Sequence, residues 1–237
     1  VFLGTTAESP KRKGVSNQGI IADSIVVGSG NLGTMRAWQI QSRDPFVRDP
    51  SSPLDGTPIP FNAPQFPMRV SFGVGVDTIQ ATSDIVGLSL QSGGLRNAIS
   101  GGAIERTLLG ISGRVNNVDV AGTFKGTSQL LVTGPEGALV RMRTGGSLFG
   151  QVNVALGVGS LEVGGDFGSP SFIVTRNIDN ISITGNVLSG SRIRTKQTIG
   201  NLVIGGDVEA GATIQAKVIR NQQISGDVFG SIIITGP

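Results

Sequence analysis

The most regular feature of this chain is an alternation of apolar and polar residues in its C-terminal half. Residues 178–187, 199–208 and 219–228 superpose on the pattern I-x-N-[IL]-x-I-x-G-[DN]-V, and their starts lie 21 and 20 residues apart. Inside each copy the apolar positions alternate, as Ile181 and Ile183 do in the first. A period of two predicts β-strands rather than helices.

Five further copies of the pattern precede these three, and they start at Val76, Leu95, Val115, Leu139 and Val158. The one long step, from Val115 to Leu139, contains the turn sequence Thr-Gly-Pro-Glu-Gly at 133–137. A second strand is predicted after each copy, marked by an apolar residue six positions beyond its end: Leu130, Val154, Ile173, Ile193, Ile214 and Ile234. One repeat buries too little surface alone, so stacking of the eight copies is predicted.

Stacking aligns equivalent residues from one turn to the next and predicts three ladders. An apolar ladder fills the interior: Ile104, Phe124, Leu148, Phe167, Val187, Val208 and Val228. A glycine ladder marks a bend that needs a positive φ or no side chain: Gly102, Gly122, Gly146, Gly165, Gly185, Gly206 and Gly226. An asparagine ladder, which Arg141 and Ser160 interrupt, falls at a corner before the strand: Asn97, Asn117, Asn180, Asn201 and Asn221.

With these ladders, residues 76–237 resemble the right-handed parallel β-helix group, the architecture of pectate lyases and of many bacterial surface and adhesin proteins. We therefore expect an all-β protein, a single-stranded right-handed parallel β-helix, or solenoid, of about eight turns. The right-handedness is implied by the resemblance and by the general hand of parallel crossovers. Regular glycine spacing is also compatible with an antiparallel β-sandwich, which is the alternative fold.

The N-terminal third follows a different pattern, and three segments are predicted. Residues 1–33 form an N-terminal strand or first turn, 34–72 a proline-rich irregular excursion, and 73–237 the parallel β-helix. The excursion holds seven of the 11 prolines, and proline removes a strand hydrogen-bond donor. Three aromatic side chains are expected to pack against the solenoid and hold the excursion there: Phe46, Phe61 and Phe66.

Composition narrows the chemistry that this chain can perform. The chain of 237 residues has no His and no Cys, which excludes a Ser-His-Asp triad, thiol catalysis, disulfides and zinc sites built from these ligands. Its net charge is only +3, and aromatic residues are not interleaved with basic ones, so nucleic-acid binding is not expected. No apolar run reaches the length of about 20 residues that a membrane-spanning helix needs.

The strongest polar feature is a column that follows the glycine ladder, formed by Asp166, Asn186, Asp207 and Asp227. The turns of this column are stacked about 4.8 Å apart, and its carboxylates, Asp166, Asp207 and Asp227, are a candidate calcium site. Calcium held by acidic residues is also what the resemblance to pectate lyases implies. The favoured alternative is a Gly-Asx turn in which each side chain bonds its local backbone. No other cofactor is expected.

A second column is basic, because Arg176, Lys196 and Lys217 lie nine residues after the apolar ladder, with Arg192 and Arg194 on the preceding strand. This column is a candidate contact for an acidic polysaccharide or for another subunit. The favoured alternative is a solvated face whose charges prevent lateral aggregation. The resemblance to pectate lyases implies a catalytic Arg, for which Arg143, Arg192 and Arg194 remain candidates, but no lyase motif matches this sequence.

These observations favour a structural role outside the cell or on its surface, without catalysis. The apolar final strand, with Ile232, Ile233 and Ile234, is expected to be uncovered and to assemble end to end with another copy into a fibre, stalk or surface layer. The alternative for this edge is that further turns of a longer solenoid cover it. The alternative functions are a polysaccharide lyase or hydrolase and a carbohydrate-binding adhesin.

Overall fold

The computed structural model describes residues 13–16, 20–22, 25–41 and 68–236. In this part of the chain the regular structure consists of 24 short β-strands, and no helix occurs. All strand pairs among these residues are parallel. The chain visits three sheets in succession and then rises to the next turn, so that each strand pairs with its equivalents in the turns before and after.

Sheet 1 is the first face of the solenoid and contains one long strand from each turn. Its strands, in spatial order, are β1 (Lys13–Ser16), β4 (Asn31–Ala37), β7 (Gly75–Ala81), β10 (Leu95–Ser100), β13 (Val115–Val120), β15 (Leu139–Thr144), β17 (Val158–Val163), β19 (Ile178–Ile183), β21 (Thr198–Ile204) and β23 (Val218–Ile224). Ten strands at about 4.8 Å spacing make this sheet about 43 Å long.

Sheet 2 is short, and its strands are β2 (Ile20–Ala22), β5 (Gln39–Gln41), β8 (Ile85–Val86) and β11 (Ile104–Glu105). Single-residue bridges continue it from Ile104 through Val228. Sheet 3 contains β3 (Ile25–Gly28), β6 (Met68–Phe72), β9 (Leu88–Ser92), β12 (Leu108–Ile111), β14 (Gln129–Val132), β16 (Gln151–Val154), β18 (Phe172–Val174), β20 (Arg192–Thr195), β22 (Thr213–Ala216) and β24 (Ser231–Ile234).

The predicted fold class is confirmed, because the structure is an all-β parallel solenoid whose turns lie about 20 residues apart. The eight sequence copies coincide with the eight strands of sheet 1 from β7 to β23. The architecture is consistent with the right-handed parallel β-helix that the repeat resembles. Parallel pairing throughout the described residues excludes the antiparallel sandwich, since a sandwich of that kind pairs neighbouring strands in opposite directions.

Part of the interval 34–72 belongs to the solenoid. The second half of β4 and all of β5 and β6 lie inside the interval 34–72, for which the sequence predicts irregular structure, yet these strands pair with β7, β8 and β9. The proline-rich stretch therefore interrupts a turn between sheets 2 and 3 instead of preceding the solenoid. Residues 42–67, with Phe46, Phe61 and Phe66, lie outside the described residues.

The interior of the solenoid is filled by the predicted apolar ladder, whose members bridge directly to one another from Ile104 to Val228. Its members from Ile104 to Val208 are fully buried. Sheets 1 and 3 add inward residues at alternate positions, such as Leu161 and Val163 on β17. Full burial of one such side chain stabilises the fold by about 1.5–3 kcal/mol. The ladders thus determine which side chains remain on the outer surface of the solenoid.

Candidate functional site

The Asx column (Asp166, Asn186, Asp207 and Asp227) connects successive turns of the solenoid. The backbone N–H of Asn186 donates to Oδ1 of Asp166 at 2.8 Å, and that of Asp207 donates to Oδ1 of Asn186 at 2.9 Å. The N–H of Asp227 continues the series to Oδ1 of Asp207 at 2.7 Å. The side chains therefore bond the backbone of the next turn, whereas the Gly-Asx alternative expected a bond to the local backbone.

The same kind of bond recurs in earlier turns, at residues that sequence reasoning missed. Oδ1 of Asp84 accepts the N–H of Ala103 at 2.6 Å, and Oγ of Ser147 accepts the N–H of Asp166 at 3.0 Å. Asp84 precedes the inward residue Ile85, as every member of the Asx column precedes a ladder residue. That position was the available signal, although the repeat is degraded in this part of the chain.

The glycine ladder exists because the Asx column occupies the space beneath it. At Gly206, a Cβ would collide with Oδ1 of Asn186 and would lie 2.9 Å from the carbonyl carbon of Gly185. Equivalent collisions with the preceding Asx oxygen occur at Gly185 and at Gly226. None of these three glycines has a positive φ. These positions therefore require glycine because a side chain would not fit, and not because φ is positive.

The candidate calcium site at Asp166, Asp207 and Asp227 does not bring three acids together. In the described part of the chain, no group of three or more His, Cys, Asp or Glu side chains could hold a metal ion. Asp166 and Asp207 also each use one carboxylate oxygen to accept a backbone N–H. Calcium takes 6–8 oxygen ligands, so this column would supply few of them. The arrangement is better suited to locking adjacent turns in register.

We expect Asp166→Ala to lower the free energy of unfolding by about 1–3 kcal/mol, because the half-buried N–H of Asn186 would lose its acceptor. Asp166→Asn is the matched control and should cost less than half as much, since Asn186 itself performs this task for the next turn. Urea denaturation of both variants measures the difference. Repeating it with millimolar calcium and with EDTA tests the calcium prediction: stabilisation by calcium that Asp166→Asn abolishes would support a metal site.

The asparagine ladder lies on the outer face of sheet 1, within the strands and not at a corner before them. Nδ2 of Asn201 donates to Oδ1 of Asn180 at 2.6 Å, and Nδ2 of Asn221 donates to Oδ1 of Asn201 at 2.7 Å. In an earlier turn, Nδ2 of Asn97 donates to Oγ1 of Thr78 at 3.2 Å. The amide chain fixes the stacking of turns, a structural task that needs no ligand.

Arg143, one of the three candidate catalytic arginines, lines a shallow depression of about 560 Å³ on the outer face of sheet 1. Among the described residues that line the depression, Glu162 is the only acid. Nη2 of Arg141 donates to Oε2 of Glu162 at 3.0 Å, and this bond raises the pKa of Arg141 above its usual value. Glycoside hydrolysis uses two carboxylates, and this depression offers one that is already paired.

The predicted basic column lies together on another face. Arg192 and Arg194 point outward from β20 in sheet 3, and Lys196 follows at the corner after this strand. Arg176 and Lys217 are exposed at the same corner of the neighbouring turns. Arg192 and Arg194 therefore lie on a different face from Arg143, and the three do not form one site.

The three isoleucines of the final strand have different surroundings. Ile232 and Ile234 are in register with the buried Ile214 and Ala216, so they face the interior of the solenoid. Ile233 pairs with Gln215 and faces outward from sheet 3. Ile232 and Ile234 therefore belong to the end of the core, whereas Ile233 belongs to the lateral surface.

Among the described residues, no helix is long and apolar enough to cross a membrane. Compared with known proteins, the chain matches no family model, no curated protein and no solved structure.

Proposed function

We propose that this chain is a structural β-solenoid that assembles end to end and has no catalytic role. The observation that carries the proposal is the exposure of core side chains in the last turn. Val228 is 47% exposed and Ile234 is 55% exposed, whereas Val208 and Ala216, their equivalents one turn earlier, are 0% exposed. The inward positions of the last described turn are therefore apolar, and no described residue covers them as the next turn covers Val208 and Ala216.

The occupant that we propose for this end is a second copy of the chain. Among the described strands, β23 and β24 are each paired on one side only, at the edges of sheets 1 and 3, and β1 and β3 are the opposite edges of the same two sheets. At both ends the strands of sheets 1 and 3 run in the same direction as the rest of their own sheet, and the chain passes through sheet 1 before sheet 3. A β1–β3 end stacked on a β23–β24 end would continue each sheet in the direction in which it already runs.

Contact between unlike ends is heterologous, so it propagates into a filament unless the rotation closes a ring. Burial of the exposed apolar side chains and pairing of free backbone groups would both favour this contact. The absence of His and Cys from the sequence supports a non-catalytic role. The resemblance of the repeat to bacterial surface β-helix proteins supports a location outside the cell or on its surface.

We expect the purified chain to form species larger than a monomer at tens of micromolar, and Ile234→Lys to abolish them. A lysine at residue 234 would place a charge in the open end of the core, where stacking would have to desolvate it. Light scattering and negative-stain microscopy measure the assembly, and circular dichroism verifies that the variant remains folded.

Ile233→Lys is the matched control, because Ile233 is a neighbour on the same strand that faces the lateral surface. It should leave end-to-end assembly intact. A wild-type chain that remains monomeric at tens of micromolar would overturn the proposal. Equal loss of assembly in both variants would also contradict it, since the contact would then be lateral rather than end to end.

A further inference from the structure

Five cationic side chains form a continuous basic strip along sheet 3 and the corner that follows it. The strip consists of Arg192 and Arg194 on β20, Lys196 immediately after this strand, and Arg176 and Lys217 in the adjacent turns. All five residues are exposed. The strip crosses three successive turns, so its charges come from residues that are 41 positions apart in sequence at the extremes.

The spacing of the strip follows from the strand geometry. Arg192 and Arg194 alternate with buried residues on β20, so their Cα atoms lie about 6.6 Å apart. Turns are spaced by about 4.8 Å, which sets the separation of Lys196 from its neighbour Lys217. Because the backbone fixes these positions, the array of positive charges is rigid at its base while the long side chains can adjust.

Acidic side chains of the described residues do not pair with these cations. Among the described residues, no ion pair joins any of the five to an acidic side chain. Two acids of these turns accept backbone hydrogen bonds: Oε2 of Glu209 accepts the N–H of Ser189 at 2.9 Å, and Oδ1 of Asp207 accepts the N–H of Asp227 at 2.7 Å. Unpaired like charges on one face produce a positive potential that attracts an anionic partner.

The outward residues beside the strip are mostly hydrogen-bonding, apart from Ile173 of β18, which pairs with Arg194. Thr213 pairs with Arg192 and Gln215 pairs with Arg194, while Gln151 and Asn153 lie on the same sheet two turns earlier than β20. Hydroxyl and amide groups of this kind both donate to and accept from sugar hydroxyls. The described strand residues that face outward from sheet 3 include no aromatic residue on which a base could stack.

We infer that the basic strip binds a linear anionic polysaccharide that carries sulfate or carboxylate groups. The guanidinium groups of Arg192 and Arg194 provide forked donors that match these anions, and the lysines add point charges beside them. The neutral side chains of the same face bond the hydroxyl groups between the charges. This inference goes beyond the structural role and does not depend on end-to-end assembly.

The test is the affinity of the purified chain for fluorescent dextran sulfate, with neutral dextran of the same length as the ligand control. Dextran sulfate should bind, neutral dextran should not, and added salt should weaken binding by screening. The double variant Arg192→Gln/Arg194→Gln should reduce the affinity by at least about tenfold, because two charge-assisted hydrogen-bonding groups are lost. Hyaluronan, which carries carboxylates alone, distinguishes the two anionic groups.

The matched control variant is Arg96→Gln/Arg114→Gln, which removes the same net charge from the neighbourhood of sheet 1. It should change the affinity by less than about twofold. An equal loss in both double variants would overturn the inference, because binding would then follow net charge only. Absence of binding to both dextran sulfate and hyaluronan would overturn it as well, and so would tighter binding of a single-stranded DNA.

Discussion

Gly206→Ala should lower the free energy of unfolding by about 2–4 kcal/mol, a large effect for the addition of one methyl group. The new Cβ would occupy the position of Oδ1 of Asn186 and approach the carbonyl carbon of Gly185. Displacing Asn186 would break its bond to the N–H of Asp207. Overpacking costs about 1–3 kcal/mol and the lost hydrogen bond about 1 kcal/mol more. Urea denaturation followed by circular dichroism measures the shift of the midpoint.

Gly126→Ala is the matched control for this substitution. Gly126 has an ordinary φ, and a Cβ there would be 3.8 Å from its nearest neighbours, the Cβ and carbonyl oxygen of Phe149. At such a site alanine changes stability by about 1 kcal/mol or less, and it can even stabilise by restricting the unfolded chain. If both substitutions shifted the midpoint equally, the packing of Asx oxygens beneath the glycine ladder would be contradicted.

The sequence alone predicts the solenoid because a repeated alternation has few structural solutions. Each copy of the pattern places its last apolar residue in one ladder, and the bridges from Ile104 to Val228 confirm that ladder residue by residue. The eight copies also predict the eight strands from β7 to β23. The periodicity predicts these contacts because, in a stack of equal turns, each residue lies next to its equivalents in the turns before and after.

The register of sheet 3 is less predictable, because corners of unequal length separate it from the ladder. Ile193 and Ile214 lie six residues after their ladder residues and are buried as expected. In other turns the corner is shorter, so that Phe172 aligns with Ile193 while Ile173 faces outward opposite Arg194. A slip of one residue moves a side chain from the core to the surface, and sequence spacing does not reveal such slips.

The second turn, β4 to β6, is not recognisable in the sequence for a different reason. Strand β4, with the sequence NLGTMRA, lacks the Gly-Asx step of the repeat, and residues 42–67 separate β5 from β6. A copy that is both degraded and interrupted has no local signal, and it is recognised only through its pairing with β7. The candidate sites have the same limit, because the basic residues are visible in the sequence but their position on one face depends on how the turns stack.

Phe167→Ala should have the largest effect of the substitutions considered, a loss of about 3–5 kcal/mol in the free energy of unfolding. Phe167 is fully buried and bridges Leu148 in the turn below and Val187 in the turn above. Its ring packs edge-on against Phe172, with centroids 6.1 Å apart and planes at 70°. Alanine would leave a cavity that two rigid neighbouring turns cannot close.

Phe167→Leu is the control, since Leu148 fills the same ladder position one turn earlier, and it should cost about 1–1.5 kcal/mol. Because turns contact only their neighbours, the damage from Phe167→Ala should be local. Amide hydrogen exchange should therefore lose most protection in β17 and β19 and least in β7, four turns from β17 along sheet 1. Equal loss of protection along the whole solenoid would contradict nearest-neighbour stabilisation and would indicate one cooperative unit instead.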